Sequence, residues 1–193
     1  MNFRNFLLFG LVVASFGCAA FPLAGAGKPE WQSAIDRQVQ QLGYRNWIII
    51  AEASYPAQNR HGLRQVTTNK EIPEVVDYVL QAMERTENVR PRIYVTREVR
   101  SLENDFAPGI DHFRNTVKNS MHGHETTELD QQSLITLTQD ANRSFDVLVI
   151  RTPTALPYSS VYMELQPGYW DSDSESRLRQ RIERERMERL AHP

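Results

Sequence analysis

The stretch NWIIIAE, residues 46–52, decides the fold, because five consecutive apolar residues, Trp47 to Ala51, stand in it between two polar ones. A short, continuous apolar run is typical of a strand that is covered on both faces. The stretches RPRIYVT, residues 90–96, and SFDVLVIRT, residues 144–152, have the same character. Apolar and polar side chains alternate in LPYSSVYMEL, residues 156–165, which predicts a fourth strand.

Helical patterns lie between these strands. One helix is predicted before Gly43, which ends it, and a second one after Asn69, which is its predicted cap. Two more are predicted over residues 107–121 and 129–142, the latter starting at Asp130. Strands that alternate with helices indicate a three-layer α/β/α domain with a largely parallel, mixed central sheet, which we place at residues 27–170.

Composition limits the function classes. The chain has 193 residues, 40% of them apolar, and a formal charge of −2, which suits one domain with a full core. Because no basic surplus is present to hold a phosphate backbone, nucleic-acid binding is not expected. Cys18 is the only cysteine and precedes the folded part, which excludes an intrachain disulfide and thiolate chemistry there.

Both ends of the chain differ from the middle. Residues 1–26 have the order of a signal peptide: an early Arg4, an apolar stretch too short to span a bilayer, then small residues. Cleavage after residues 24–26 would release a soluble protein, whereas cleavage before Cys18 would leave a lipid anchor on it. Either way we expect an exported domain, periplasmic or secreted, without a membrane span. The charged segment 171–193 predicts a surface helix or tail, with a subunit contact as the alternative.

Two loops follow strands at the edge where ligands collect in α/β sheets, the carboxyl ends of the strands. Glu52 ends the first strand, where a carboxylate is costly unless it is paired or lines a pocket. A pocket there would suit Glu52 for proton transfer, and a carboxylate bound to loop amides explains the residue equally well. Tyr158 and Ser160 introduce the last strand and are predicted to form another wall of that pocket.

Other groups near the first strand can supply polarity or charge. Tyr44 and Arg45 precede the strand, and His61 and Arg64 follow the loop behind it. Each of them is also typical of an ordinary surface residue.

The patch MHGHETTELD, residues 121–130, is rich in His and carboxylates. On a strand His122 and His124 would point the same way and could join Glu125 or Glu128 in a metal site. The glycine between the two His and the polar surroundings favour a solvated loop instead. No metal site is therefore predicted.

The stretches QLGYRNWIIIAEASYP, residues 41–56, and VLVIRTPTALPYSSVYMEL, residues 147–165, together resemble the D-ribose pyranase / L-fucose mutarotase family. That family has Leu or Met, Gly and His before an apolar strand that ends in Asp and leads into a loop with Pro. Its last strands are an apolar strand, a short turn, Tyr-(small)-Asn and an aliphatic strand. The order and the lengths match from about Trp31 to Leu165.

The resemblance implies a three-layer α/β domain that assembles into a ring-shaped homo-oligomer. It implies an activity as well, the interconversion of ring forms or anomers of a monosaccharide by general acid/base catalysis without a cofactor. The partner is then a small sugar or another small polar molecule.

Residue by residue, the family's His falls on Tyr44, its Asp on Glu52 and its Asn on Ser160, while its Tyr is kept as Tyr158. The implied roles are Glu52 as the base and Tyr158 as the acid or a donor to sugar hydroxyls. Tyr44 is a further group of the catalytic set.

Ser160, His61 and Arg64 are predicted to bind the substrate. Because the family's His and Asn are replaced, the alternative is a catalytically silent relative that binds a small polar ligand or serves as an envelope structural protein. A metal-dependent hydrolase built on the His-rich patch is a third hypothesis.

Overall fold

The computed structural model of the protein describes residues 28–191. The predicted signal peptide and the lipid-anchor prediction for Cys18 lie outside these residues. The strands are β1 (Trp47–Ala51), β2 (Leu63–Thr67), β3 (Val89–Thr96), β4 (Thr126–Leu129), β5 (Val147–Arg151) and β6 (Val161–Pro167). The helices are α1 (Glu30–Val39), α2 (Ile72–Glu84), α3 (Glu98–Ser101), α4 (Ile110–Ser120), α5 (Gln131–Ala141) and α6 (Ser172–Ala191).

The six strands form one sheet with the order β2-β5-β1-β6-β3-β4. β1 pairs in parallel with β5, β5 with β2, and β3 with β4, whereas β6 runs antiparallel to both β1 and β3. The direction of β6 follows from its short connection, residues 152–160, which contains no helix. A parallel crossover needs a dozen or more residues, so the chain must turn back. The predicted mixed three-layer α/β/α architecture is confirmed.

Alternate side chains of the central strands enter two separate cores. Ile48 and Ile50 of β1 pack with residues of α1, α2 and α4, whereas Trp47 and Ile49 face the opposite side, which is covered by Leu134 of α5. Burial of each such side chain stabilises the fold by about 1.5–3 kcal/mol. The apolar run of β1 is continuous because both of its faces are covered.

The structure corrects two sequence predictions. Residues 126–129 were expected in a solvated loop but form the edge strand β4, whose polar outer residues fit an edge position. Helix α2 begins later than expected, with Glu71 rather than Asn69 at its N-cap. The amide of Ile72 at its first turn donates to Thr154 Oγ1 at 3.0 Å, so a loop from another part of the chain caps the helix. The predicted start of α5 at Asp130 is confirmed, since its side chain accepts from the amide of Ser133.

Helix α6 lies on the outside of the domain and has no buried residue. Its four large apolar side chains, Leu178, Ile182, Met187 and Leu190, are all exposed. No helix within residues 28–191 combines the length and the apolar character needed to cross a bilayer.

Candidate functional site

The carboxyl ends of β1 and β5 and the start of β6 lie at one edge of the sheet. This follows from the topology, since β1 and β5 are parallel and β6 is antiparallel to β1. Residues that follow β1 therefore meet residues that precede β6. Glu52 and Ser160 show this directly, because the amide of Glu52 donates to Ser160 Oγ at 3.1 Å.

Glu52 is a buried carboxylate, only 7% exposed. Its Oε2 accepts from the amide of Ser159 at 2.9 Å and from Ser159 Oγ at 3.4 Å, and its Oε1 accepts from Ser54 Oγ at 2.9 Å. Within residues 28–191 it forms no ion pair. The cost of burying the charge is thus offset by hydrogen bonds to one amide and two hydroxyls. This arrangement ties the end of β1 to the start of β6.

Tyr158 has a left-handed backbone, with φ of 62°. Such a conformation is uncommon for a bulky residue and is held by its surroundings. Here the carbonyl of Tyr158 accepts from Thr96 Oγ1 at the end of β3, and the next residue, Ser159, is held by Glu52. In this turn Tyr158 is half-buried, and the next two residues, Ser159 and Ser160, are buried.

These three residues line a cavity of about 690 Å³ that opens to solvent beside β3, β4, β6 and α4. Glu52 is not among its lining residues and lies behind Ser159 instead. Tyr158 and Ser160, which the sequence predicts as one wall of a pocket, both line this cavity, whereas Glu52, predicted as another wall, does not.

The other walls carry charged groups that the sequence analysis did not assign to a site. They comprise three cations, one imidazole and one carboxylate: Arg100, Arg114, Lys118, His124 and Glu128. Arg114 and Lys118 are one helical turn apart on α4, so their spacing places them on one face. That spacing was the signal available in the sequence, but it is common to exposed faces of helices.

Two buried tyrosines, Tyr55 and Tyr162, lie on the opposite face of the sheet. Burial raises the pKa of the Tyr162 phenol, and its electrostatic interactions with Tyr55, Glu52 and Glu98 add to that effect. Burial also raises the pKa of Tyr55. Both phenols therefore stay protonated, and neither serves as a proton acceptor near neutral pH.

The remaining residues predicted from the sequence lie elsewhere. Tyr44 is 58% exposed and precedes β1, so the length of this strand, roughly 16 Å, separates it from Glu52. His61 and Arg64 lie at the amino end of β2, where Arg64 binds Asp146 at 2.6 Å and Gln38 at 2.9 Å. Within the chain, Tyr44, His61 and Arg64 do not meet Tyr158.

The His-rich patch does not form a metal site in the part of the chain that the structure describes. No group of three or more His, Cys, Asp or Glu side chains within residues 28–191 is placed to bind a metal ion. His122 contacts Asp77 of α2, whereas His124 lines the cavity. The two His therefore point to different neighbours.

Comparison with solved structures supports the fold. The chain is similar to Bacillus subtilis RbsD complexed with D-ribose, with a TM-score of 0.51 and 18% identity, over 72% of this chain and 94% of that one. It is also similar to a fucose mutarotase in complex with L-fucose from Streptococcus pneumoniae, with a TM-score of 0.47 and 18% identity over 72% and 96% of the two chains. No family model and no curated protein sequence matches. The resemblance inferred from the two sequence stretches is thus confirmed at the level of the fold.

Proposed function

We propose that the protein binds a monosaccharide in the cavity beside Tyr158 and interconverts its ring forms without a cofactor. The observation that carries this proposal is the position of the cavity, which is built by the turn before β6 in a fold shared with ribose-bound RbsD. Its volume of about 690 Å³ accommodates a sugar and several water molecules.

Ring opening requires a base that takes the proton of the anomeric hydroxyl and an acid that protonates the ring oxygen. Two lining groups of the cavity can exchange protons, the His124 imidazole and the Tyr158 phenol. We assign His124 as the base, because imidazole accepts protons near neutral pH. Tyr158 is assigned as the acid.

Ser160 is assigned as a donor to the sugar, and Glu52 as the residue that holds Ser159 and Ser160 in position. Ser160 Oγ accepts from the amide of Glu52, which leaves its hydroxyl proton to donate to a sugar oxygen. Glu52 holds Ser159 through its carboxylate and Ser160 through its amide. We therefore assign Glu52 as a positioning residue rather than the base.

Saturation-transfer NMR on D-ribose, L-fucose and related sugars tests the proposal. Wild-type protein is expected to accelerate exchange between ring forms of at least one sugar. His124→Gln and Tyr158→Phe should each lower that rate by about 10²-fold or more, while His112→Gln, which alters an exposed His of α4 outside the cavity, should leave it unchanged. Equal rates with and without protein for every sugar would refute the enzymatic part of the proposal.

A second candidate function is sugar binding without turnover. It is favoured by the hydrogen bonds of Glu52, whose two carboxylate oxygens are already engaged by Ser54 and Ser159. A thermal-shift screen separates the two candidates, since a ligand that only binds raises the melting temperature while exchange rates stay at the uncatalysed value.

A further inference from the structure

The charges that line the cavity indicate which class of sugar it takes. Two helices supply cations, Arg100 from α3 and Arg114 and Lys118 from α4, whereas Glu128 of β4 is the single carboxylate among the lining residues. A neutral sugar needs no such excess. The question is how many of these cations are already neutralised by protein groups.

Two of the three cations have partners. Arg100 binds Glu128 at 3.0 Å. Arg114 contacts Asp111 and also donates to the carbonyl oxygens of Val99 at 2.9 Å and Leu102 at 2.7 Å. Its guanidinium therefore joins α4 to α3, and three of its five N–H donors bind groups of the protein.

Lys118 differs from both of them. It forms no ion pair within residues 28–191 and its side chain is exposed at the cavity wall. An ammonium group is a compact charge on a flexible stem with three donors. Because Arg100 and Glu128 neutralise each other, the charge of Lys118 gives the cavity lining a positive excess.

We propose that the ligand is an anionic sugar, one that carries a carboxylate or a phosphate group, and that Lys118 binds this acidic group. The inference rests on the proposed function of the same cavity. The hydroxyls of Tyr158 and Ser160, which also line the cavity, are then assigned to the neutral part of the ring. A cavity with a net positive charge also concentrates anions from solution, more so at low ionic strength.

Isothermal titration calorimetry on the purified protein tests this with matched probes. D-glucose is compared with D-glucuronate and D-glucose 6-phosphate, all three of which form pyranose rings. We expect the acidic members to bind about two- to fivefold more tightly than the neutral ones at low salt, and the difference to shrink at high salt. The uronate and phosphate arms show which acidic group is preferred.

Variants assign the effect to one residue. Lys118→Gln should abolish the preference for acidic sugars and leave the affinity for the neutral ones unchanged, while Lys118→Arg should keep it. Lys70→Gln is the control, because Lys70 binds Glu74 outside the cavity.

Failure of the two proposals can be told apart. Equal affinity for neutral and acidic sugars would overturn the inference about charge and leave sugar binding intact. Absence of binding by every sugar, neutral or acidic, would overturn the proposed function and this inference with it.

Discussion

Glu52 is a buried carboxylate whose hydrogen bonds come from neutral groups, Ser54 and Ser159. Removing it leaves the amide of Ser159 buried without an acceptor, which costs about 1–3 kcal/mol, and the lost side chain adds to this. We expect Glu52→Ala to lower the free energy of unfolding by about 2–4 kcal/mol. Glu52→Gln keeps an acceptor oxygen and should cost about 1 kcal/mol.

Urea unfolding of both variants measures these costs. A Glu52→Ala variant as stable as wild type would contradict the assigned role of the carboxylate. If Glu52→Gln were fully folded but lost all exchange activity, the carboxylate would be the base after all.

Tyr158 allows a matched test of backbone strain. Tyr158→Ala and Tyr158→Gly both remove the phenol, but only glycine adopts a φ of 62° at no steric cost. We expect the glycine variant to be more stable than the alanine variant by about 1 kcal/mol, and both to lose sugar binding. Thermal unfolding of the pair gives the comparison, and the opposite order would show that the turn is not strained.

At the scale of single elements, one carboxylate adds polar contacts to the apolar packing of α1 against α2. Asp36 of α1 accepts from Tyr78 Oη at 2.9 Å and from Arg85 at 2.9 Å, and it also binds Lys28. Burial raises its pKa, but the hydrogen bonds from Lys28, Tyr78 and Arg85 outweigh burial and hold that pKa below its usual range. Asp36 therefore binds its proton less readily in the folded protein than in the unfolded chain.

The lowered pKa of Asp36 determines how the stability of the protein changes with pH. A lowered pKa in the folded state contributes stability above the ordinary value near 4, and that contribution is lost as the pH falls below it. We expect Asp36→Asn to lower the free energy of unfolding by about 1 kcal/mol at pH 7. Its stability should also fall less than that of wild type on acidification to about pH 3.

Urea titrations at both pH values check this, with the exposed Asp105→Asn as the control. Parallel loss of stability in wild type and Asp36→Asn would show that another carboxylate governs the acid response.

Strands differed in how well the sequence predicted them. The four strands of the sheet's centre, β1, β3, β5 and β6, were recognised because they carry apolar runs or strict alternation. The edge strands are LRQVT in β2 and TTEL in β4, and none of their residues is buried. Edge strands need only one neighbour and one covered face, so they leave no hydrophobic pattern to read. That is why β4 was interpreted as a loop.

The predicted start of α2 was wrong for a related reason. Asn69 is a good cap by local preference, but Glu71 occupies the cap position and Thr154 supplies the acceptor for the amide of Ile72. A contact across 82 residues of chain cannot be inferred from neighbours in sequence. Asp130 was predicted correctly because its partner, Ser133, is only three residues away.

At the scale of the whole molecule, removal of α6 shows whether the folded domain ends before residue 172. None of the residues of α6 is buried, and a hydrogen bond from Trp170 to Glu175 joins it to the preceding turn. We expect removal of residues 172–193 to change the free energy of unfolding by no more than about 0.5 kcal/mol and to leave the oligomeric state unaltered. Urea unfolding and light scattering on the shortened chain measure both quantities.

A different result would identify a contact. If the shortened chain were less stable and also dissociated into smaller assemblies, α6 would be a subunit contact, as the alternative interpretation of its sequence holds.

Fold and site were not equally predictable. The architecture follows from strand and helix patterns that are local, and the meeting of Glu52 with Ser159 and Ser160 follows from the rule that strand ends share an edge. The other half of the cavity comes from Arg100, Lys118 and His124, whose positions depend on how α3, α4 and the following turn lie over the sheet. Exposed polar residues on helices carry no pattern that distinguishes a cavity wall from ordinary surface.

The position of β6 determines when the protein can complete its fold. β6 is the last strand to be synthesised, and it lies between β1 and β3 in the middle of the sheet. Until Val161 to Pro167 have left the ribosome, the nascent chain can form only two separate pieces, β2-β5-β1 and β3-β4, each with an unpaired inner edge. Open edges of this kind recruit strands from other chains. A translation product that stops before β6 is therefore an aggregation-prone fragment and not a smaller domain.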